Sequence, residues 1–266
     1  MGTMDPNRLL VEVTALAREA GRSILEVYAS SFSVQEKEDR SPLTEADLRS
    51  EQLILAGLKR IAPEIPILSE ESAQAPFATR RNWGRLWVVD PLDGTREFVQ
   101  RNGEFTVNIA LVDKHRPILG VVHAPVLERT YYACEGAGSF RSDQEASGRP
   151  IRVAKRGAGP VRVVGSRSHR GSSLDGFLAR VGAHELVEVG SSLKLCLVAE
   201  GMADVYPRLG PTSEWDTAAG QCVLEQAGGQ VLKLDGEPLA YNRENTLNPD
   251  FVGFGDANTD WLALVR

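Results

Sequence analysis

The chain is poor in cysteine, with Cys134, Cys196 and Cys222 far apart among 266 residues. Their number is odd and no C-x-x-C occurs, so neither a disulfide framework nor a zinc site is expected. Buried free thiols in a reducing cytoplasm fit better. No apolar run nears the roughly 20 residues of a membrane-spanning helix. No signal peptide is visible: Asp5 and Arg8 lead straight into an amphipathic pattern. Met1-Gly2-Thr3 ahead of Met4 stays outside the fold argument. Positive charge is short too. The net charge of −6 argues against non-specific binding to polymeric nucleic acid, and no basic, aromatic-bearing surface can be read from the sequence. Repeats, low-complexity tracts and heptads are missing. What remains, 42% hydrophobic and 25% charged, is ordinary for a globular protein of one large domain or two modest ones.

The chain is organised around Asp90-Pro91-Leu92-Asp93-Gly94-Thr95. It follows Leu86-Trp87-Val88-Val89, which reads as a short buried strand. Two carboxylates this close, on a Pro/Gly turn at a strand end, repel each other unless a cation lies between them. Hard oxygen ligands of this kind suit Mg²⁺. A short helix is predicted over Thr95 to Val99, and the backbone N–H groups at its start can hold a phosphate oxygen. The plain alternative is an Asx-rich surface turn with Thr95 as a helix cap.

In chain order, Asp5-Pro6 is a helix start, and Leu9, Val13, Leu16, Ala20, Ile24 and Val27 predict an amphipathic helix to about Tyr28. Ser33 to Glu38 alternates weakly, as a strand does. Thr44 with Asp47 fits the [ST]-x-x-[DE] cap of a second helix, with Leu48, Leu55, Leu58 and Ile61 on its buried side. Asp47 therefore has a purely structural explanation at hand. Ile65 to Leu68 is a short strand ending at Glu70-Glu71. If that strand neighbours the one before Asp90, Glu70 and Asp90 face one cleft. Glu104 to Val112, Pro117 to His123 and Thr130 to Cys134 read as an antiparallel meander, completed by Pro150 to Ala154. Arg141 to Arg149 reads as a polar, mobile loop. Gly157 to Pro160 marks a boundary, dividing an α+β half (1–156) from an α/β half (157–266) that alternates strand and helix. In the second half strands are predicted at Val161 to Val164, Leu186 to Val189, Asp204 to Tyr206 and Gln230 to Leu234. Helices are predicted at Leu174 to Val181, from Gly190-Ser191-Ser192-Leu193-Lys194 to about Gly201, from Glu214 to Gly228, and at Asn258 to Val265. Asp216, at a helix start, has helix capping as its plain reading. His115, His123 and His184 read as strand or surface residues without partners, and Tyr241 and Trp261 as packing.

Together, Asp47, Glu70-Glu71, Asp90 to Thr95, Trp215-Asp216 and, after residues 217–227, Gly228-Gly229 resemble the magnesium-dependent, lithium-sensitive phosphomonoesterase superfamily that includes inositol monophosphatase. The match spans most of the chain. Asp90 to Val112, Ser166-Arg167-Ser168-His169, Gly190 to Lys194, Leu197 to Gly201 and Tyr206 to Thr212 resemble its CysQ branch, the 3′(2′),5′-bisphosphate nucleotidases. The resemblance implies an α/β fold, a layered α/β/α/β/α sandwich. It also implies a hydrolase that removes the 3′-phosphate of adenosine 3′,5′-bisphosphate. Inositol monophosphatases carry a Glu upstream of Trp-Asp, against inositol hydroxyls. Here Arg208 stands in that region, and a cation suits a second phosphate.

By the same resemblance Glu70, Asp90, the Leu92 carbonyl and Asp93 hold Mg²⁺. Asp216 completes a second site bridged by Asp90, for two or three ions in all. Thr95, relayed to Asp47, and Glu70 orient the attacking water. Gly94 and Thr95 amides hold the transferred phosphoryl, while Lys194, Arg208, Ser191 and His169 bind the 5′-phosphate and ribose. The runner-up is an inositol-phosphate or sugar-bisphosphate phosphatase on the same scaffold; from another class, a catalytically inactive nucleotide-sensing module. The expected partner is a small nucleotide bisphosphate. Homodimerisation and peripheral association with the cytoplasmic face of the inner membrane are left open.

Overall fold

The computed structural model describes residues 6–36, 42–144, 146–167 and 172–265. The first part runs α1 (Pro6–Tyr28), β1 (Val34–Glu36), β2 (Pro42–Thr44), α2 (Glu45–Ile61), β3 (Ile67–Ser69), α3 (Phe77–Arg80), β4 (Arg85–Asp93), α4 (Thr95–Val99), β5 (Thr106–Asp113), β6 (Arg116–Ala124), β7 (Arg129–Cys134), β8 (Gly138–Asp143) and β9 (Arg149–Pro150). The second runs β10 (Val161–Ser166), α5 (Ser172–Val181), β11 (His184–Val189), α6 (Leu193–Ala199), β12 (Val205–Arg208), α7 (Glu214–Gln226), β13 (Gln230–Lys233), β14 (Phe251–Phe254) and α8 (Trp261–Val265). Asp5, the predicted cap of α1, and residues 37–38 of the first predicted strand lie outside the described residues.

A seven-stranded sheet has the order β3-β4-β5-β6-β7-β8-β9. It is antiparallel except where β3 runs parallel to β4. Its central strands are covered on both faces, and so read as nearly continuous apolar runs. One face carries Trp87, Val89, Val107, Ile109 and Val121 against α1 and α2. The other carries Val88, Ala110, Val112 and Val122 against α7. Gly120 lets α7 lie on the strand itself: a Cβ there would stand 2.4 Å from the Ala219 carbonyl oxygen. Beyond α6 and α7 lies a five-stranded sheet of order β11-β10-β12-β14-β13. Its strands share a further apolar cluster with Phe177 of α5 and Trp261 of α8. The result is the expected α/β/α/β/α stacking.

Several local expectations are corrected. Leu58 is buried as expected, but Leu48 is 43% exposed, and α2 turns Ala46, Asp47, Ser50 and Ile54 inward beside Leu58. A helix with buried polar positions turns a different stripe to the core than its leucines suggest. Residues 141–143 are not loop but the end of β8, where Arg141 binds Asp143 and reaches Glu200 at 2.6 Å. β14, absent from the sequence reading, completes the second sheet between β12 and β13. Among the described residues no helix is long and apolar enough to cross a membrane. All three cysteines are buried and free, as expected.

Candidate active site

The site grows from the end of β4. β3 pairs with β4 in parallel, Ser69 opposite Val89, and the Glu70 N–H donates to the Val89 carbonyl at 3.2 Å. This is the adjacency that brings Glu70 towards Asp90. The strand register breaks between Asp90 and Asp93, so the chain leaves the ladder where the two carboxylates sit. Gly94 then takes φ 91°, a left-handed conformation that favours glycine, and starts α4. Asp216, in the first turn of α7, joins them: carboxylate oxygens of Asp90, Asp93 and Asp216 lie within 4.8 Å of one another.

Each of these carboxylates uses one oxygen for a protein donor. Asp90 Oδ1 accepts the Leu92 N–H at 3.1 Å. Asp93 Oδ2 accepts the Ser191 hydroxyl at 2.7 Å and the Ser192 hydroxyl at 2.6 Å. Asp216 Oδ2 accepts the Ser213 N–H at 2.8 Å. Among the described residues the remaining oxygens have no hydrogen-bond donor. Burial, then the charges of Glu70, Asp93 and Asp216, hold the Asp90 carboxyl well above the ordinary range. Burial, then Asp93 and Glu70, push Asp216 up to about 8. Asp90 is buried and Asp93 and Asp216 are partly buried, and anions this close are stable when charged only with a cation between them. Hard carboxylate oxygens suit Mg²⁺ or a similar ion.

Asp47 serves two ends. Its Oδ2 accepts the Thr44 N–H at 2.8 Å and the Thr44 hydroxyl at 2.7 Å, the capping box of α2. Its Oδ1 faces Thr95 Oγ1 at 3.1 Å. Thr95 Oγ1 also lies 3.3 Å from the Leu92 carbonyl, and its one proton serves one acceptor at a time. Asp47 therefore caps α2 with one oxygen and meets Thr95 with the other. Glu70 lies beside the cluster rather than in it, and acts there through its charge.

A cavity of about 240 Å³ opens next to the cluster, lined by Asp93, Gly94, Thr95, Ser191, Lys194, Arg208 and Asp216, with Tyr206 on its wall. Lys194 and Arg208 are not solvated surface cations: they are 7% and 9% exposed. The Lys194 ammonium donates to the Ser191 carbonyl and stands 5.7 Å from the Tyr206 ring centroid. Burial lowers Lys194 to about 8 against the pull of Asp93, and raises Tyr206 to about 12. Arg208 Nη2 donates to the Pro211 carbonyl at 2.6 Å, while its buried Nε has no partner. An orphaned buried guanidinium N–H is costly unless an acceptor arrives.

Ser192, Asn108 and Thr106 were missed from sequence. Asn108 Nδ2 donates to Ser192 Oγ at 2.8 Å, and Thr106 Oγ1 lies 2.5 Å from Ser191 Oγ, so both serines are held from β5. The available signal was a polar Asn inside an apolar strand. His169 and Ser168 lie outside the described residues. The other histidines do have partners: His115 the Tyr241 carbonyl at 2.6 Å, His123 the Thr130 hydroxyl at 3.0 Å and His184 the Gly182 carbonyl at 2.6 Å.

A partly buried acidic cluster opening on a cation-lined cavity, between two sheets in alternating layers, suits a divalent cation and an anionic ligand side by side. A profile of the inositol monophosphatase family matches residues 5–262, and the chain belongs to that family. It is 49% identical over 246 residues to the 3′(2′),5′-bisphosphate nucleotidase CysQ of Salmonella typhimurium, covering 91% of this chain and 98% of that protein. To the CysQ of Haemophilus influenzae it is 39% identical over 260 residues, 97% of each. The crystal structure of CysQ from Bacteroides thetaiotaomicron, a bacterial member of the family, matches with a TM-score of 0.84 at 40% identity, over 95% of this chain and 98% of that one.

Proposed function

We propose that this chain is a Mg²⁺-dependent phosphomonoesterase that removes the 3′-phosphate of adenosine 3′,5′-bisphosphate, giving AMP and phosphate. The observation that carries the substrate choice is Arg208. It is buried on the cavity wall with Nε unpartnered, in the same cavity as Asp93 and Asp216. A second phosphate entering that cavity compensates the desolvated guanidinium charge, which a neutral hydroxyl group does not. The family's CysQ members, similar over nearly the whole chain, support the same choice.

In this reading Glu70, Asp90, the Leu92 carbonyl, Asp93 and Asp216 hold two or three Mg²⁺ ions. Such ions, when bound, acidify water and neutralise charge on a phosphoryl group. The protein's own part is positioning. Thr95 Oγ1 gives its proton to Asp47 Oδ1 and so can accept one from the attacking water, which Glu70 helps to hold. Gly94 and Thr95 amides hold the transferred phosphoryl. Lys194, Arg208 and Ser191 hold the 5′-phosphate and ribose. Ser192 and Asn108 keep Asp93 turned towards the cluster. The division at 156/157 belongs to this reading, with Asp90 and Asp93 contributed from before it and Ser191 and Asp216 from after it.

The test is phosphate release with Mg²⁺, comparing kcat/KM on adenosine 3′,5′-bisphosphate and inositol 1-phosphate. Preference for the inositol ester overturns the Arg208 argument. Absence of turnover on both, with nucleotide binding intact, makes the chain a sensing module.

A further inference from the structure

A second cavity, of about 570 Å³, lies beside α1, lined by Arg18, Arg22 and Leu25 of that helix together with His123, Thr130 and Gln144. It is on the other face of the seven-stranded sheet from the carboxylate cluster. His123 pairs with Val107, which points towards α1, whereas the flanking Thr106 and Asn108 point to the serines that hold Asp93. Nothing in the proposed reaction uses it.

Two arginines on the α1 wall face one carboxylate, Glu128, across the cavity. Arg18 is half-buried and donates to two hydroxyls, Thr130 Oγ1 at 3.3 Å and Ser142 Oγ at 2.8 Å. Among the described residues it joins no ion pair. A partly desolvated guanidinium held by neutral groups keeps its attraction for an anion. Arg22, one helical turn on, brings a second cation to the same wall. Burial, then Arg18, lower His123 to about 4, with the Arg129 carbonyl opposing and Arg22 adding least. His123 is therefore neutral at pH 7, with Nδ1 3.0 Å from the Thr130 hydroxyl.

The walls are set before any ligand arrives. α1 rests on the imidazole at Gly21, where a Cβ would stand 2.5 Å from His123 Cδ2. At the rim Gln144 and Glu128 both have positive φ, 51° and 49°, and the Gln144 N–H donates to the Glu128 carbonyl at 2.8 Å. Glu128 and Gln144 offer acceptors, and Pro125 and Leu25 apolar surface. The volume falls in the range of small-molecule sites, roughly 300–1,000 Å³, well above what inorganic phosphate needs.

We propose that this cavity is a second binding site, taking a phosphorylated small molecule whose anionic group meets Arg18 and Arg22 and whose organic body carries a hydrogen-bond donor towards Glu128. AMP and inorganic phosphate are the probes, titrated calorimetrically into the full-length Arg208→Gln protein in EDTA, so that the catalytic cradle is weakened. One AMP site per chain persists in that background, and Arg18→Met added to it raises the AMP Kd by about tenfold or more. Arg18→Met alone, assayed with Mg²⁺, keeps kcat/KM within about twofold of wild type. Should Arg18→Met fail to fold, Arg22→Glu, on the exposed side of the helix, is read in the same way. Loss of all AMP binding in Arg208→Gln alone, or a titration that either α1 substitution leaves superimposable on its parent, overturns the site. Inorganic phosphate binds at least tenfold more weakly than AMP; equal affinity overturns the organic body.

Discussion

Removing divalent cations makes the stability of this protein fall as the pH rises from 5 to 8. The argument rests on Asp216, which burial and the charges of Asp93 and Glu70 push up to about 8 from an ordinary 3.8. In the unfolded chain the carboxyl loses its proton near 3.8; in the folded, metal-free protein it keeps it to about 8. Between those values the folded state binds the extra proton. The stabilisation is complete below the unfolded pKa and is lost as the pH climbs through the folded one. Asp90 shifts the same way, with burial again the leading cause. A shift of about four units in one isolated group corresponds to ~5–6 kcal/mol. Between pH 5 and 8 the slope of about 1.4 kcal/mol per pH unit for one proton gives a loss of about 3–4 kcal/mol from Asp216, with the repulsion it shares with Asp90 counted once. For a chain of this size that is a fall in Tm of roughly 6–16 °C.

The assay is a thermal melt at pH 5, 6, 7 and 8, in EDTA and in millimolar Mg²⁺. Asp216→Asn is the control, because its amide oxygen can still accept the Ser213 N–H and keep the helix cap. Glu214 and Glu225 are also raised by burial and contribute slopes of the same sign, while His123, lowered from 6.5 to about 4, contributes the opposite slope below pH 6.5; all three are unchanged in the variant. In EDTA the wild-type Tm falls with pH, and Asp216→Asn falls by less than half as much. Mg²⁺ removes the wild-type fall, since a bound cation stabilises the ionised carboxylates and adds its binding free energy to folding. Parallel wild-type and Asp216→Asn curves in EDTA would refute the reasoning.

Asp93→Asn takes one charge from the cluster and turns an amide towards Ser191 and Ser192, so kcat/KM at saturating Mg²⁺ drops by about 100-fold or more; turnover near wild type would end the metal assignment. Arg208→Gln lowers kcat/KM on adenosine 3′,5′-bisphosphate by roughly 10–100-fold. On adenosine 3′-monophosphate its effect stays below about threefold, and equal losses on the two substrates would dissociate Arg208 from the second phosphate. Thr44→Ala removes an acceptor at the start of α2 and lowers stability by about 1 kcal/mol, measured by urea unfolding, with kcat little changed. Asp47→Asn disturbs both ends and lowers kcat at least tenfold; if the two variants lose activity equally, the Thr95 contact is structural.

Much of this site was legible because its pieces are local. The strand before Asp90, the turn at Gly94 and the caps at Thr44 and Asp216 follow from short-range patterns. What the sequence could not give was the surroundings. Ser192 and Asn108 are 84 residues apart, and they meet only because β5 and the turn before α6 face each other across the cluster. That Arg208 is buried, as its assignment to a second phosphate needs, shows only in the packing. The inward stripe of α2 escaped a reading by apolar period, because Asp47, Ser50 and Glu51 occupy it. Residues 138–143 lacked an apolar signature because the two buried positions of β8 are the serines Ser139 and Ser142.

The double use of carboxylates explains why a site of like charges keeps its shape. Asp47 holds the first turn of α2 with one oxygen and Thr95 with the other. Asp216 holds the first turn of α7 and stands in the acidic cluster. Repulsion would swing a free side chain outwards, but here the swing would uncap a helix whose buried face packs on the sheet. Each cap resists by on the order of 1 kcal/mol, and the serine pair restrains Asp93 in the same manner. The cluster is therefore held together by bonds whose other ends belong to the fold, and strain from its charges is passed to helix starts. It follows that a cation relieves the fold as well as the site, and that stability and metal affinity must change together in any variant of these residues.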